Sequence, residues 1–156
     1  MTLAKALGGG VPIGAFLAKD SAAVFEPKGE HGSTFGGNAL TCAAANASVR
    51  FIVDNDVPAR ALEMGEYLRA GLNEIQAEAE FIADVRGMGL LVALEFTSEM
   101  APQVLNACNE AGLLMNVTRP NAVRIMPPLT VSKAEIDEAL ALLKAALPKA
   151  VAAANA

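Results

Sequence analysis

Beyond residue 80 the apolar pattern switches twice between short strand-like runs and longer helical stripes. This order of strand, strand, helix, strand, strand, helix is what most constrains the fold. Residues 81–85 and 90–96 predict two strands around the glycine-bearing bend Arg86-Gly87-Met88-Gly89. Residues 101–111 predict a helix with Gly112 as its C-terminal stop. Two further strands are expected at 113–117 and 122–126, separated by the turn Arg119-Pro120-Asn121 and stopped by Pro127-Pro128. The last helix opens with a capping box of Ser132 and Glu135 and carries Ile136, Leu140, Leu143 and Leu147 on one face. Pro148 is expected to end it, leaving 148–156 as a frayed alanine-rich tail. Together these elements predict a small α+β layer over 80–147.

Upstream the pattern is different. Residues 39–54 predict a helix of small side chains, with Leu40, Ala44, Ala47 and Phe51 repeating at helical spacing so that it lies close to a sheet. Asp56 and Pro58 start another, whose stripe of Ala61, Met64, Leu68, Leu72 and Ile75 leaves Glu63, Glu66, Arg69 and Glu74 on other faces. Residues 11–18 are apolar and short, as a buried strand would be, and 20–25 allow one or two helical turns before Pro27. Residues 28–38, with Gly29, Gly32, Gly36 and Gly37, predict an exposed loop. The 156 residues are 53% hydrophobic, but 32 of them are alanine, which favours close helix packing over a bulky aromatic core. A charged fraction of 19% excludes wholesale disorder at this hydrophobicity.

Charge and residue usage exclude several function classes. The net charge is −5 and no block of Lys or Arg stands out, so the electrostatic footprint of a nucleic-acid binder is missing. The longest uncharged run, 31–49, carries Ser, Thr and Asn side chains that would be costly in hydrocarbon, and no membrane span is expected. Gly8-Gly9-Gly10 and Pro12 interrupt the first 18 residues, which therefore do not read as a secretory signal. Cys42 and Cys108 have no Cys or His at metal-ligand spacing, and a reducing, cytoplasmic setting follows as the expectation. His31 is the only histidine, so neither a polyhistidine metal site nor more than one His-dependent triad can be built.

Three places could carry chemistry. Lys5 stands directly before Ala6-Leu7-Gly8-Gly9-Gly10, where the backbone can approach a ligand closely. The order is wrong for a Walker A loop, in which lysine follows the glycines, but an amine there suits imine formation with a carbonyl; a solvated surface lysine is the alternative. The segment Gly29-Glu30-His31-Gly32-Ser33-Thr34-Phe35-Gly36-Gly37-Asn38 gathers hydroxyls and backbone amides able to grip an anion such as phosphate, or is simply a polar loop. Arg124 alternates with Val123 and Ile125, so its guanidinium lies on the other face of a strand, either solvated or holding a carboxylate through two parallel hydrogen bonds.

In this order the three places resemble one family, the class III pyridoxal-phosphate aminotransferases, in its acetylornithine and ornithine branch. The resemblance is carried by Thr2-Leu3-Ala4-Lys5-Ala6-Leu7-Gly8-Gly9-Gly10-Val11-Pro12-Ile13-Gly14-Ala15, the segment 29–38, Val85-Arg86-Gly87-Met88-Gly89-Leu90, and Val123-Arg124-Ile125-Met126-Pro127-Pro128-Leu129. It covers nearly all of this chain and the C-terminal part of the family's proteins. It implies an α/β fold: the end of the large domain of a fold type I transferase over 1–57, a connecting helix over 58–79, and the small C-terminal domain over 80–147.

The same resemblance implies roles for named residues. Lys5 would be the Schiff-base lysine and the proton carrier between substrate carbon and cofactor carbon. Thr34 would bind the phosphate of pyridoxal 5'-phosphate, reaching into the neighbouring subunit of a homodimer, and Ser33 beside it would touch substrate or cofactor. Arg124 would hold a substrate carboxylate and so orient the reacting amine. The implied reaction moves the terminal amine of N-acetylornithine onto 2-oxoglutarate in arginine biosynthesis. Ornithine, 4-aminobutyrate and a glutamate semialdehyde relative are alternative substrates.

Ala39, where the family more often has proline, and Ile125-Met126, where an aromatic is more usual, are departures that touch helix entry and pocket shape. The acid for the pyridine nitrogen, the stacking aromatic and the glycine-containing phosphate loop would all fall upstream of Lys5. A chain of these 156 residues is therefore expected to be inactive alone, and a non-catalytic fragment or small interaction module is the competing expectation.

Overall fold

The computed structural model describes residues 1–24 and 32–155, which divide into two compact units, Met1–Asp56 and Val57–Ala156. Residues 25–31, including His31 and the start of the expected loop, lie outside the described residues.

In the first unit β1 (Thr2–Leu3) pairs antiparallel with β2 (Ala15–Phe16), setting Thr2 opposite Phe16 and Leu3 opposite Ala15. The Met1 ammonium donates to the Leu17 carbonyl and the Leu17 N–H to the Met1 carbonyl, each at 2.8 Å, extending the ladder by two bonds. The expected buried strand over 11–18 is thus corrected to two exposed residues. β1 is too short to pair with more, Pro12 has no N–H to offer, and Phe16 and Leu17 remain about half exposed.

Two 3-10 turns, Lys5–Gly8 and Asp20–Ala22, flank this hairpin's loop and tail. Helix α1 (Ala39–Asp54) starts at Asn38, whose Oδ1 accepts from the Thr41 N–H at 3.1 Å while its Nδ2 donates to the Phe35 carbonyl at 2.9 Å. Its covered face is also not the expected one. Ala45 is its one buried residue among the described ones, and Leu40 and Phe51 face outward. The first 3-10 turn seats on α1 near Ser48, so the covered side is set by that turn and not by the largest side chains.

The second unit runs α2 (Val57–Ala77), β3 (Ile82–Met88), β4 (Leu91–Phe96), α3 (Ala101–Glu110), β5 (Asn116–Arg119), β6 (Ala122–Ile125) and α4 (Lys133–Ala154). Its four strands form one antiparallel sheet in the order β3-β4-β6-β5. The predicted bend at Arg86–Gly89 is shorter than expected. Arg86, Gly87 and Met88 belong to β3, and Gly89-Leu90 alone turns the chain, because Met88 pairs directly with Leu91. One face of the sheet presents Val92, Leu94, Phe96 and Val123, each at most 1% exposed, to the three helices.

From α2 come Met64, Leu68, Leu72 and Ile75, as its 3.6-residue stripe predicts, with Ala61 partly covered at the stripe's start. α3 contributes Val104 and Cys108, and burial pushes the Cys108 thiol up to about 11, which keeps it protonated and inert. No polar or charged residue is buried among the described residues, so the core is held by apolar burial, roughly 1.5–3 kcal/mol for each large side chain.

Helix ends are set locally. α3 closes in a Schellman motif: the Gly112 N–H bonds the Asn109 carbonyl at 3.1 Å and the Leu113 N–H bonds the Cys108 carbonyl at 2.8 Å. Gly112 sits at φ +87°, a left-handed conformation that a side chain would strain. α4 begins with the predicted capping box. Its end is a correction: the helix runs through Pro148 to Ala154, and the tail expected to fray is mostly helical. Pro148 lies on the exposed side, where water can satisfy the carbonyl one turn back, while Ala150 is fully buried and ties the last turns to the core.

The capping box makes a testable pH signature. The Ser132 N–H and hydroxyl lie 2.7 Å and 2.8 Å from Glu135 Oε2 and hold its carboxyl below the usual glutamate range. A carboxylate whose folded pKa is depressed stabilises above the unfolded value, about 4.3, and loses that contribution as pH falls through the folded value. Ser132→Ala should cost about 1 kcal/mol at neutral pH in urea unfolding but keeps the backbone N–H that lowers the carboxyl most, whereas Glu135→Gln removes the titrating group and should flatten the fall in stability below about pH 4. An unchanged acid limb would show that the box does not act in solution.

Candidate active site

Lys5 opens its 3-10 turn in a conformation that its side chain disfavours, with φ at +54°. Gly9 at the turn's end approaches α1 so closely that a Cβ there would lie 2.9 Å from Ser48 Oγ. The Lys5 side chain is exposed and makes no ion pair among the described residues. Lys133, Lys144 and Lys149 differ in this respect, each being held by a carboxylate: Glu63 at 3.1 Å, Glu78 at 2.6 Å, and Glu110.

Ser33 and Thr34 lie in the turn that leads into α1. Ser33 Oγ accepts from the Gly36 N–H at 3.0 Å, closing a tight polar turn. Thr34 is exposed, and its hydroxyl meets no partner among the described residues. Lys5 and Thr34 both stand on the first unit, and no polar contact joins them among the described residues.

Arg124 belongs to the second unit, in the middle of β6, between Ala93 of β4 and Asn116 of β5. Its Nη2 donates to Asn116 Oδ1 at 2.8 Å, while its Nε is shielded from solvent and has no hydrogen-bond partner among the described residues. On the same sheet face, beyond Ala93, Arg86 has a contrasting environment. Its Nη1 lies 2.8 Å from Asp84 Oδ2 and 2.5 Å from Glu95 Oε2, which together raise its pKa, Asp84 first. Arg86 is therefore neutralised by its neighbours, whereas the polar partner of Arg124 among the described residues is a neutral amide.

Sequence reasoning did not find Asn116. Counting back from the Pro120-Asn121 turn would set Val117 opposite Arg124, but a bulge between Val117 and Arg119 shifts the register by one and brings Asn116 there instead. No group of three or more His, Cys, Asp or Glu among the described residues is placed to hold a metal ion. Among the same residues no helix is long and apolar enough to cross a membrane.

Each unit combines helix and strand, and the mixed α/β structure is that of part of a fold type I transferase, as the solved structures below show. The family model described as aminotransferase class-III matches residues 1–147, and the chain belongs to that family.

It is 46% identical over 143 residues to an acetylornithine aminotransferase of Methanothermobacter thermautotrophicus, covering 91% of this chain and 36% of that protein. It is 46% identical over 140 residues to ornithine aminotransferase 2 of Staphylococcus saprophyticus, covering 88% and 34%. Among solved structures, acetylornithine aminotransferase from Elizabethkingia anophelis superposes with a TM-score of 0.85 at 34% identity, over 93% of this chain and 39% of that one. The chain thus spans little more than a third of the length of the curated relatives it matches.

Proposed function

We propose that these 156 residues supply the C-terminal part of a pyridoxal 5'-phosphate-dependent transaminase that moves the terminal amine of N-acetylornithine onto 2-oxoglutarate, in cytoplasmic arginine biosynthesis. The observation that carries this reading is the strained Lys5 ahead of its glycine run, without an ion pair among the described residues, since backbone strain persists where the surrounding structure enforces it and gathers at functional positions. The names of the relatives point to the substrate. Ornithine as donor is the second reading, favoured by the equally high identity to ornithine aminotransferase 2.

Bound pyridoxal phosphate supplies an electron sink for the substrate's reacting carbon. In this reading the Lys5 amine holds the cofactor aldehyde at rest, and when free it carries a proton on Nζ between two carbons. Thr34 donates its hydroxyl to the cofactor phosphate, in a homodimer that of the neighbouring subunit, and Ser33 lines the same end. Arg124 holds the substrate carboxylate and fixes the direction from which the amine approaches. Residues 1–57 would then belong to the large cofactor-binding domain, 58–79 to a connecting helix, and 80–147 to the small domain.

Incubating a full-length version, in which these residues form the C-terminal part, with pyridoxal phosphate, reducing with borohydride and mapping the modified peptide tests the central residue. The label is expected on Lys5, and Lys5→Ala should remove it; Lys19, which is also exposed and has no carboxylate partner among the described residues, is the internal control for plain surface reactivity. A label spread evenly over the surface lysines, and unaltered in Lys5→Ala, would refute the assignment. The 156 residues alone, a little over a third of the relatives' length, are expected to produce no glutamate from N-acetylornithine and 2-oxoglutarate. Sustained turnover by this chain would refute that expectation.

A further inference from the structure

We infer that Ser48 is a positioning residue for Lys5: it is the small side chain on which the glycine run seats, and its size fixes how closely the lysine turn lies on α1 and so where the Lys5 amine stands. The inference rests on the reading of Lys5 as the lysine that holds the cofactor aldehyde, and adds to it the residue that keeps its turn in place.

The turn is braced on two sides. A Cβ on buried Gly8 would lie 2.8 Å from Ile13 Cγ2 and 2.9 Å from Val11 Cγ2, and one on Gly9 would lie 2.9 Å from Ser48 Oγ. Neither side leaves room for a methyl group, so the backbone itself is the packing surface. α1 is shaped to receive it. Thr41, Ala45, Ser48 and Ile52 recur at helical spacing along its covered side, and Ala45 and Ser48 in the middle of that stripe carry little bulk.

The brace reaches Lys5 through the turn's own hydrogen bonds. The Gly9 N–H donates to the Ala6 carbonyl at 3.0 Å and the Leu7 N–H to the Ala4 carbonyl at 3.2 Å, so the residue seated on Ser48 is tied to the pair of bonds that encloses Lys5. Lys5 stands at φ +54°, a conformation that a lysine leaves when its surroundings allow. A larger side chain at 48 would lift Gly9, loosen both bonds and let Lys5 relax, which redirects its side chain.

That placement has a chemical readout. When Lys5 Nζ attacks the aldehyde carbon of pyridoxal phosphate, a carbon–nitrogen double bond forms and the aldehyde oxygen leaves as water, so the gain from this bond depends on where Nζ stands. Pyridoxamine 5'-phosphate has an amine in place of the aldehyde and cannot form the bond. A change that acts through Lys5 therefore weakens retention of the aldehyde form alone, whereas general damage to the site weakens both.

The test measures the dissociation constants of the two forms by equilibrium dialysis, in a full-length version in which these residues form the C-terminal part. Ser48→Leu preserves helix propensity and adds carbons towards Gly9. It should weaken pyridoxal phosphate by about tenfold or more, as overpacking does, and leave pyridoxamine phosphate within about twofold of wild type. Ser48→Ala, which projects nothing further, should restore the wild-type ratio of the two constants. In a Lys5→Ala background the effect of Ser48→Leu should vanish.

A wild-type ratio in Ser48→Leu, equal losses for both forms, or a loss in Ser48→Ala as large as in Ser48→Leu would overturn the inference. Wild-type retention of pyridoxal phosphate by Lys5→Ala would instead overturn the reading of Lys5 on which it rests. If Ser48→Leu fails to fold, Gly9→Ala adds bulk from the other side of the same contact and decides by the same ratio: a loss confined to the aldehyde form supports the inference, and an unchanged ratio overturns it.

Discussion

Replacing Gly65 with alanine should destabilise the Val57–Ala156 unit by about 3 kcal/mol, the upper end of the usual cost of overpacking. At this point α2 crosses the β3–β4 turn with backbone against backbone: a Cβ on Gly65 would lie 2.1 Å from the Gly89 carbonyl oxygen and 2.3 Å from its carbon. No rotamer can relieve a clash with main chain, so helix and turn must separate, and the contacts of Met64 and Leu68 on either side loosen with them. The helix-propensity gain of alanine over glycine, about 1 kcal/mol, offsets only part of this.

Gly71 provides the control on the same helix. A Cβ there would meet Leu140 Cδ1 at 2.3 Å, a side-chain tip that can turn away, and Gly71→Ala should change stability by less than about 1 kcal/mol. The check is the midpoint of urea unfolding at constant slope. Equal midpoints for the two variants would mean that the close approach at Gly65 does not hold in solution.

The second large effect is expected at Phe96. It is the largest of the fully buried side chains, 1% exposed at the end of β4, and Phe96→Ala should cost about 4 kcal/mol, the lost transfer energy plus an unfilled cavity. Phe96→Leu keeps most of the volume and should cost about 1 kcal/mol. Phe35, 82% exposed in the first unit, should tolerate alanine within about 0.5 kcal/mol. Thermal unfolding of the three variants checks the series. A Phe96→Ala variant as stable as Phe35→Ala would mean that the inner face of β4 has been assigned to the wrong side.

Much of the second unit was legible before its structure. The stripe on α2 and the capping box at Ser132 depend on neighbours three and four residues away, so spacing alone reveals them. The alternation of Val123, Arg124 and Ile125 correctly placed the arginine on the face opposite the core. In the first unit periodicity misled. Leu40 and Phe51 formed an apolar stripe by spacing but stay exposed, and the apolar stretch at 11–18 gave only the two strand residues Ala15 and Phe16. A stripe predicts a buried face only when something packs against it, and in this unit the packing partner near Ser48 is a turn of four residues.

The sequence by itself determined the family and the order of the elements in the second unit, because motifs, caps and periodicities are local properties of the chain. Only the tertiary structure decided that α4 passes through Pro148, since burial of Ala150 holds the last turns against the loss of one hydrogen bond. It alone decided which residue faces Arg124, because a one-residue bulge in β5 resets the register and exchanges Val117 for Asn116. Both outcomes rest on long-range packing and strand pairing, whose energies depend on neighbours that are distant in sequence.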